Sequence, residues 1–273
     1  MLYADLHMHS VFSSDGKGDL FEMCEAAIER GMHAVAFTEH WDALPPDHVE
    51  LPYPPDSVYY HRHEAAALEA VRDARERFHG RLNLVYAVEL GQPHVDPTAS
   101  RALLDTREFD FVLGSVHVVK TGIDYYYVDY EHTDIPKMFE EYYADHLRML
   151  TFDGFDSIGH LDYPVRKMHK VWTKPATMRA YRDCIAEVLR AAIDKGVAIE
   201  INTKGCYSWF ERFSPEPWVL ELYRDLGGTY ITTGSDAHET EHAAFGIREA
   251  ADFAASIGLR VACGYTRHTP EFS

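Results

Sequence analysis

Asp5-Leu6-His7-Met8-His9-Ser10, placed directly after the apolar residues 1–4, is the stretch on which the fold turns. Alternation along a strand sets side chains two apart on one face. His7 and His9 therefore share a face, and two neighbouring imidazoles suit a zinc, iron or manganese centre. Asp5, two residues earlier, is expected on that face as the carboxylate that fixes an imidazole tautomer. Read alone, Asp5 equally describes a solvated strand-end carboxylate. It does not stand alone. His40 follows the apolar run 34–37, Glu89 closes 84–88, and His117 follows 111–116. His160 follows 155–159, and Asp236 and His238 follow 230–235. Ligand-type side chains after so many strand-like runs imply one rim where strand ends meet, which is where barrel enzymes keep their chemistry.

Seven strand-like runs, near 2–6, 33–37, 82–88, 109–116, 155–159, 197–201 and 229–234, alternate with helical patterns. Leu20, Cys24, Ala27 and Ile28 recur at helical spacing, with Gly31 as a stop. Helices are also expected over 57–78, 134–150, 175–195 (Pro175 near its start, Gly196 past its end) and 214–226. Such alternation, with nearly continuous apolar strands, means a parallel sheet covered by helices. No Pro/Gly/Ser-rich linker divides the chain, so residues 1–273 are expected to form a single barrel domain. The long connections 41–56, 120–133 and 204–213 leave the ligand-bearing strand ends and are expected to wall a pocket.

The 273 residues are 46% apolar, enough for one sizeable core, and carry a formal charge of −18. That charge argues against a general nucleic-acid binder, which needs a basic stripe to neutralise phosphates. It leaves room for a small anionic substrate, because bound cations invert the local field of an acidic protein. No apolar run is long enough for a membrane span, and the start does not read as a signal peptide. The four cysteines (Cys24, Cys184, Cys206, Cys263) form no C-x-x-C pair. They read as reduced thiols of a cytoplasmic protein. Nothing in the sequence sets an oligomeric state.

Taken in order, D-L-H-M-H-S (5–10), T-E-H (38–40), E-L-G (89–91), G-S-V-H (114–117), F-D-S-I-G-H-L-D (155–162), E-I-N-T (200–203) and G-S-D-A-H (234–238) resemble the polymerase-and-histidinol-phosphatase (PHP) superfamily. Within it they are most similar to the PHP-type histidinol-phosphate phosphatases. The resemblance spans nearly the whole chain and implies a distorted (β/α)7 TIM-like barrel with three divalent metal ions (Zn, Fe or Mn) at the C-terminal ends of its strands. Carried over by position, His7, His9, Glu89 and Asp236 would hold the first ion. Glu89 would bridge to a second, completed by His117 and His160, and Asp15, His40 and His238 would hold the third. Without the resemblance Asp15, in Ser13-Ser14-Asp15-Gly16, reads as a turn residue. Asp5 and Arg166 would be catalytic, with Arg166 gripping phosphate oxygens. Ser10, Asn202 and Lys204 would also meet the substrate, a small phosphorylated metabolite. After E-I-N-T the family often has small-Gly-Leu-Arg, whereas this chain has Lys204-Gly205-Cys206-Tyr207. The change bears on the organic half of the substrate, and on its own residue pattern Lys204 reads as a solvated loop lysine.

The expected activity is metal-dependent hydrolysis of a phosphate monoester, L-histidinol phosphate first, with another small phosphate monoester (a sugar phosphate or nucleotide) as the alternative. An amidohydrolase also opens with H-x-H, but its bridging lysine has no counterpart in 109–117. A nuclease module needs the basic groove that this chain lacks, and a non-enzymatic copy would have shed ligands. His94 is a candidate proton donor to the leaving alcohol, though it also reads as an ordinary loop histidine.

Overall fold

The computed structural model describes residues 1–44, 56–120, 122–168, 178–208 and 210–273. Strands β1 (Ala4–Met8), β2 (Ala34–Asp42), β3 (Asn83–Gly91), β4 (Phe111–Ser115), β5 (Ser157–Ile158), β6 (Ala198–Asn202), β7 (Tyr230–Gly234) and β8 (Arg260–Val261) lie side by side in chain order, all parallel. The connecting helices are α1 (Leu20–Glu29), α2 (Asp56–Arg77), α3 (Pro97–Asp105), α4 (Ile135–Met149), α5 (Tyr163–Lys167), α6 (Arg182–Lys195), α7 (Pro217–Asp225) and α8 (Ile247–Ser256). No helix among the described residues is long and apolar enough to cross a membrane.

The sheet curls back on itself into the expected distorted TIM-like barrel. Among the described residues, backbone hydrogen bonds close it at the C-terminal end of the strands. There Asp236 N donates to His7 O (2.7 Å) and His9 N to Ala237 O (2.8 Å), and Met8 bridges Ala237 in parallel. At the other end the short β8 pairs with Tyr230 and Ile231 of β7. This eighth strand, two residues long, gave no sequence signal. A hairpin of β9 (Gly264–Thr266) and β10 (Thr269–Glu271) follows, and Tyr265 packs on Phe111 with ring centroids 4.7 Å apart.

Side chains inside the barrel change character along the strand direction. Ala4, Leu6, Ala34, Ala36, Val85, Ala87, Phe111 and Leu113 form one apolar cluster with Ala262 and Tyr265. Further along the same faces come Thr38, Glu89, Ser115, Ser157, Glu200, Asn202 and Thr232, all buried and polar. The outward faces carry Val35, Phe37 and Leu84 toward α1 and α2, and Val88, Val112, Ile199 and Ile231 toward the other helices.

The β1 register contains one irregularity with consequences for the site. Asp5 pairs with Val35 but Met8 with Phe37, so β1 holds one residue more than β2 over this interval. Such a bulge breaks the alternation. Asp5 therefore faces outward with Val35, while His7 turns to the barrel interior. The helix expected from Pro175 begins at Arg182 (α6), and residues 169–177 lie outside the described residues. The short helices α3, α5 and α8 were not expected. Most of the 41–56 connection, with Pro45, Pro46, Pro52, Pro54 and Pro55, is likewise outside the described residues.

Candidate metal centre

Glu89, at the end of β3 and fully buried, is the hub. Its Oε2 lies 3.3 Å from His7 Nε2, 3.4 Å from His9 Nε2 and 2.9 Å from His40 Nδ1. Its Oε1 lies 3.0 Å from His117 Nε2 and 2.9 Å from His160 Nε2, and accepts the Ser115 hydroxyl at 2.5 Å. Asp236 Oδ1 is 3.8 Å from His9 Nε2 and 4.0 Å from His7 Nε2. Asp15, exposed, closes the outer side, with its oxygens 3.5 Å from His40 Nε2 and 3.1 Å from His238 Nε2. All nine side chains expected as ligands are thus brought to one place. Four overlapping sets of three have their donor atoms mutually within 4.8 Å: His7-His9-Glu89, His40-Glu89-His117, His9-His40-His238 and His7-His160-Asp236.

These residues fit a group of cations. His7 Nε2 and His9 Nε2 are 3.0 Å apart, and His117 Nε2 and His160 Nε2 are 3.3 Å apart. Glu89 Oε2 is buried and accepts no hydrogen bond among the described residues. Nitrogen lone pairs held face to face beside an unsatisfied carboxylate oxygen are costly in a protein interior, and a divalent ion between them removes the conflict. Mixed imidazole and carboxylate donors are the set that zinc, iron and manganese accept.

Carboxylates behind the imidazoles fix which nitrogen faces inward. His7 Nδ1–H donates to Glu200 Oε1 (2.6 Å), and His117 Nδ1–H donates to Asp42 Oδ1 (3.0 Å). His9 Nδ1 lies 3.2 Å from the Ser13 hydroxyl, which donates to Glu39. Each contact leaves the Nε2 lone pair free to bind a metal. Burial would raise Glu89, but His7, His117 and His40 hold it well below the usual carboxylate range. Burial pushes His9 well below the usual imidazole range, and His40 and His238 add to this. Burial lifts Glu39 to about 7, against its bonds from Ser10 and Ser13.

Backbone geometry is spent on these positions. His160 and Asp236 are non-glycine residues at φ +20° and +54°, conformations that persist only where the surroundings over-determine them. Gly234 leaves no room for a Cβ, which would strike Glu200 Oε1 and His7 Cβ.

Several expectations need correcting. Asp5 touches no imidazole: its carboxylate accepts Ser235 N (2.8 Å), the Ser235 hydroxyl (2.5 Å) and Ala244 N (2.8 Å). It ties β1 to the chain after β7, and Glu200 performs the task expected of it. The bulge in β1 is the reason. Ser10 is fully buried, its hydroxyl donating to Glu39 at 2.6 Å, so it offers nothing to a substrate. Asn202 is buried and saturated: Nδ2 donates to Glu200 and Asp236, and Oδ1 accepts Arg166 Nη1 (2.8 Å) and Lys204 N (3.1 Å). It holds other groups in place and has no bond left to give. Lys204 is not a solvated lysine: Nζ lies 2.9 Å from Asp236 Oδ1 and 3.0 Å from His238 Nδ1. Arg166, on α5, is buried, with Nη1 also 3.3 Å from Asp236 Oδ2. His94 lies 3.7 Å from Asp145 of α4. Glu200, Asp42, Glu39 and Ser13 were missed as orienting groups. An open cleft of about 580 Å³ lies at the opposite end of the barrel, lined by His33, Arg75, Asn83, Asp110 and Thr266, and contains none of the nine donors.

A parallel barrel with clustered imidazoles and carboxylates at its strand ends defines the class of metal-centre α/β barrels. More narrowly, the PHP domain family matches residues 5–204, and the chain belongs to that family. The probable histidinol-phosphatase of Clostridium acetobutylicum is 26% identical over 262 residues, 94% of each chain. The histidinol-phosphatase of Lactococcus lactis subsp. lactis is 26% identical over 86% of this chain and 83% of its own. The crystal structure of the Lactococcus lactis histidinol phosphate phosphatase, complexed with zinc, L-histidinol and phosphate, has the same fold: TM-score 0.84 at 24% identity, covering 98% of both chains.

Proposed function

We propose that this chain is a metal-dependent phosphate monoesterase acting on L-histidinol phosphate, releasing L-histidinol and phosphate in histidine biosynthesis. The observation that carries the reading is the gathering of eight further donors around Glu89, with the Arg166 guanidinium and the Lys204 ammonium beside Asp236 on the same rim. Its relatives of similar length bear the histidinol-phosphatase name. We take residues 1–273 as one catalytic domain working in the cytoplasm with three divalent ions, zinc, iron or manganese.

Ions held by the cluster would supply Lewis acidity and a nucleophile near neutral pH. The protein's own groups do the rest. Arg166, held by Asn202, presents a fixed guanidinium to the phosphoryl oxygens, where charge develops in the transition state. Lys204 adds a second positive charge on the other side of Asp236. Glu200 and Asp42 keep His7 and His117 in one tautomer. Another small phosphate monoester is the second reading, favoured by the Lys204–Tyr207 departure from the family pattern.

Steady-state kinetics on metal-replete enzyme test the proposal, with a panel of phosphate monoesters and with phosphodiesters and amides as controls. The expected result is a clear preference for L-histidinol phosphate over p-nitrophenyl phosphate. Equal efficiency on those two, beside a preferred third monoester, moves the enzyme to the second reading. Elemental analysis of chelator-free protein should approach three metals per chain, and one or fewer in fully active protein rules out a trinuclear centre.

A further inference from the structure

The 120–133 connection carries a carboxylate that the chemistry above does not use. Its backbone is pinned to the segment bearing His117: Tyr125 N donates to His117 O at 2.9 Å, and Val118 bridges Asp124. Asp124 is therefore fixed relative to the metal ligands. Its Oδ1 accepts Tyr126 N at 2.5 Å and the Tyr163 hydroxyl at 3.3 Å. The Tyr163 ring in turn lies against the imidazoles of His160 and His117, with centroids 4.9 and 5.4 Å apart. The carboxylate thus stands one phenol ring away from the metal cluster.

Among the described residues no cation is paired with Asp124, and its Oδ2 takes no hydrogen bond. Lys167, whose charge reaches it, places Nζ over the rings of Tyr126 and Tyr163 instead, at 4.9 and 4.7 Å. Burial pushes the Asp124 carboxyl above its usual range, against the pull of His117 and Lys167. A half-buried carboxylate with one anchored and one open oxygen is a costly arrangement unless something positive arrives.

Resting on the histidinol-phosphatase reading and deepening it, we propose that Asp124 is a specificity-determining residue that receives the cationic group of the substrate's organic half. The phosphate end of such a substrate would face Arg166 and Lys204, and an ammonium near the ester carbon would turn toward Asp124. Tyr163 separates the two ends and keeps the carboxylate away from the phosphate, which it would otherwise repel.

Asp124→Asn tests this, because the amide oxygen still accepts from Tyr126 N and Tyr163 while the charge is removed. The metal-loaded enzyme is assayed on matched esters: 2-aminoethyl phosphate against ethyl phosphate, and L-histidinol phosphate against p-nitrophenyl phosphate. Loss of one charge-assisted contact should lower kcat/KM for the cationic esters roughly ten- to a hundred-fold, mainly through KM, and leave the neutral esters within about three-fold. Equal losses on cationic and neutral esters, no loss on either, or a wild type indifferent to the ammonium would each overturn the role. If the wild type prefers a cationic ester other than L-histidinol phosphate and the variant loses that preference, Asp124 keeps its role and the histidinol reading fails.

Discussion

Glu200→Gln is the perturbation that probes the site most sharply. Glu200 makes three contacts as a pure acceptor: Oε1 takes His7 Nδ1–H at 2.6 Å, and Oε2 takes His160 N at 2.8 Å and Asn202 Nδ2 at 3.1 Å. Glutamine has the same shape but replaces one acceptor by a donor. If its NH2 faces His160 N and Asn202, donors oppose donors in a buried site. If the NH2 faces His7, the imidazole must accept at Nδ1 and carry its proton on Nε2, the nitrogen that points at Glu89. Either way a charge-assisted hydrogen bond of about 1.5–3 kcal/mol is lost, which is roughly ten- to a hundred-fold in metal affinity, the range typical of such orienting partners. Competition against a chromophoric chelator reads that affinity directly, without any turnover. The weakened ion should be one per chain, since His117 is oriented by Asp42 and is untouched. A Glu200→Gln variant that binds every ion within about three-fold of wild type would refute the tautomer argument.

Further outcomes follow from the same geometry. Glu89→Gln should lose metal and nearly all turnover, because the hub cannot be neutral; retention of three metals by elemental analysis would show that Glu89 is not a ligand. Arg166→Ala and Lys204→Ala, both at the phosphate end beside Asp236, should each lower kcat/KM for every monoester about ten- to a hundred-fold; a loss confined to some substrates in either variant would remove that residue from the phosphate. His146 is buried neutral, its pKa pushed down to about 4 by burial while its Nδ1–H bonds Tyr142 O at 2.9 Å. The unfolded chain takes up that proton near pH 6.5, so stability falls as pH drops from about 6.5 to 4, by roughly 2–3 kcal/mol for this residue. Denaturant unfolding of wild type and His146→Gln at pH 7 and 4.5 should show the variant losing less by that amount, and identical losses would remove the assignment.

How far the chain could be read depended on whether the signal was local. Apolar runs ending in His, Asp or Glu are local, and they placed eight of the nine donors at the C-terminal rim, while Asp15, in a turn, came from the family resemblance alone. Face assignment by alternation failed at Asp5, because a bulge set by pairing with β2 cannot be seen in β1 alone. Glu200 lay in plain view in Glu200-Ile201-Asn202-Thr203, yet its partner His7 is 193 residues away and only barrel closure brings the two together. Ser10 and Asn202, assigned to substrate by position, are consumed by buried partners that the sequence does not identify. Helix α5 and strand β8 are too short to show a period, and Lys204 looked solvated because nothing local reveals that its loop folds back over Asp236.

The distribution of cost along the barrel explains why the chemistry sits where it does. The lower interior, from Ala4 to Leu113, is apolar and needs no compensation. The upper interior buries Glu89, Glu200 and Asp236 among histidines and adds non-glycine residues at positive φ, each a cost of order 1–3 kcal/mol. A fold gains nothing from these groups by packing, since replacing buried charges with apolar residues is commonly neutral or stabilising. Their arrangement is intelligible only if a bound cation group returns the energy. Metal binding and the integrity of the upper barrel are then one equilibrium. Barrel closure through His7, His9, Asp236 and Ala237 runs through the ligands themselves, so the seam that completes the sheet also completes the centre.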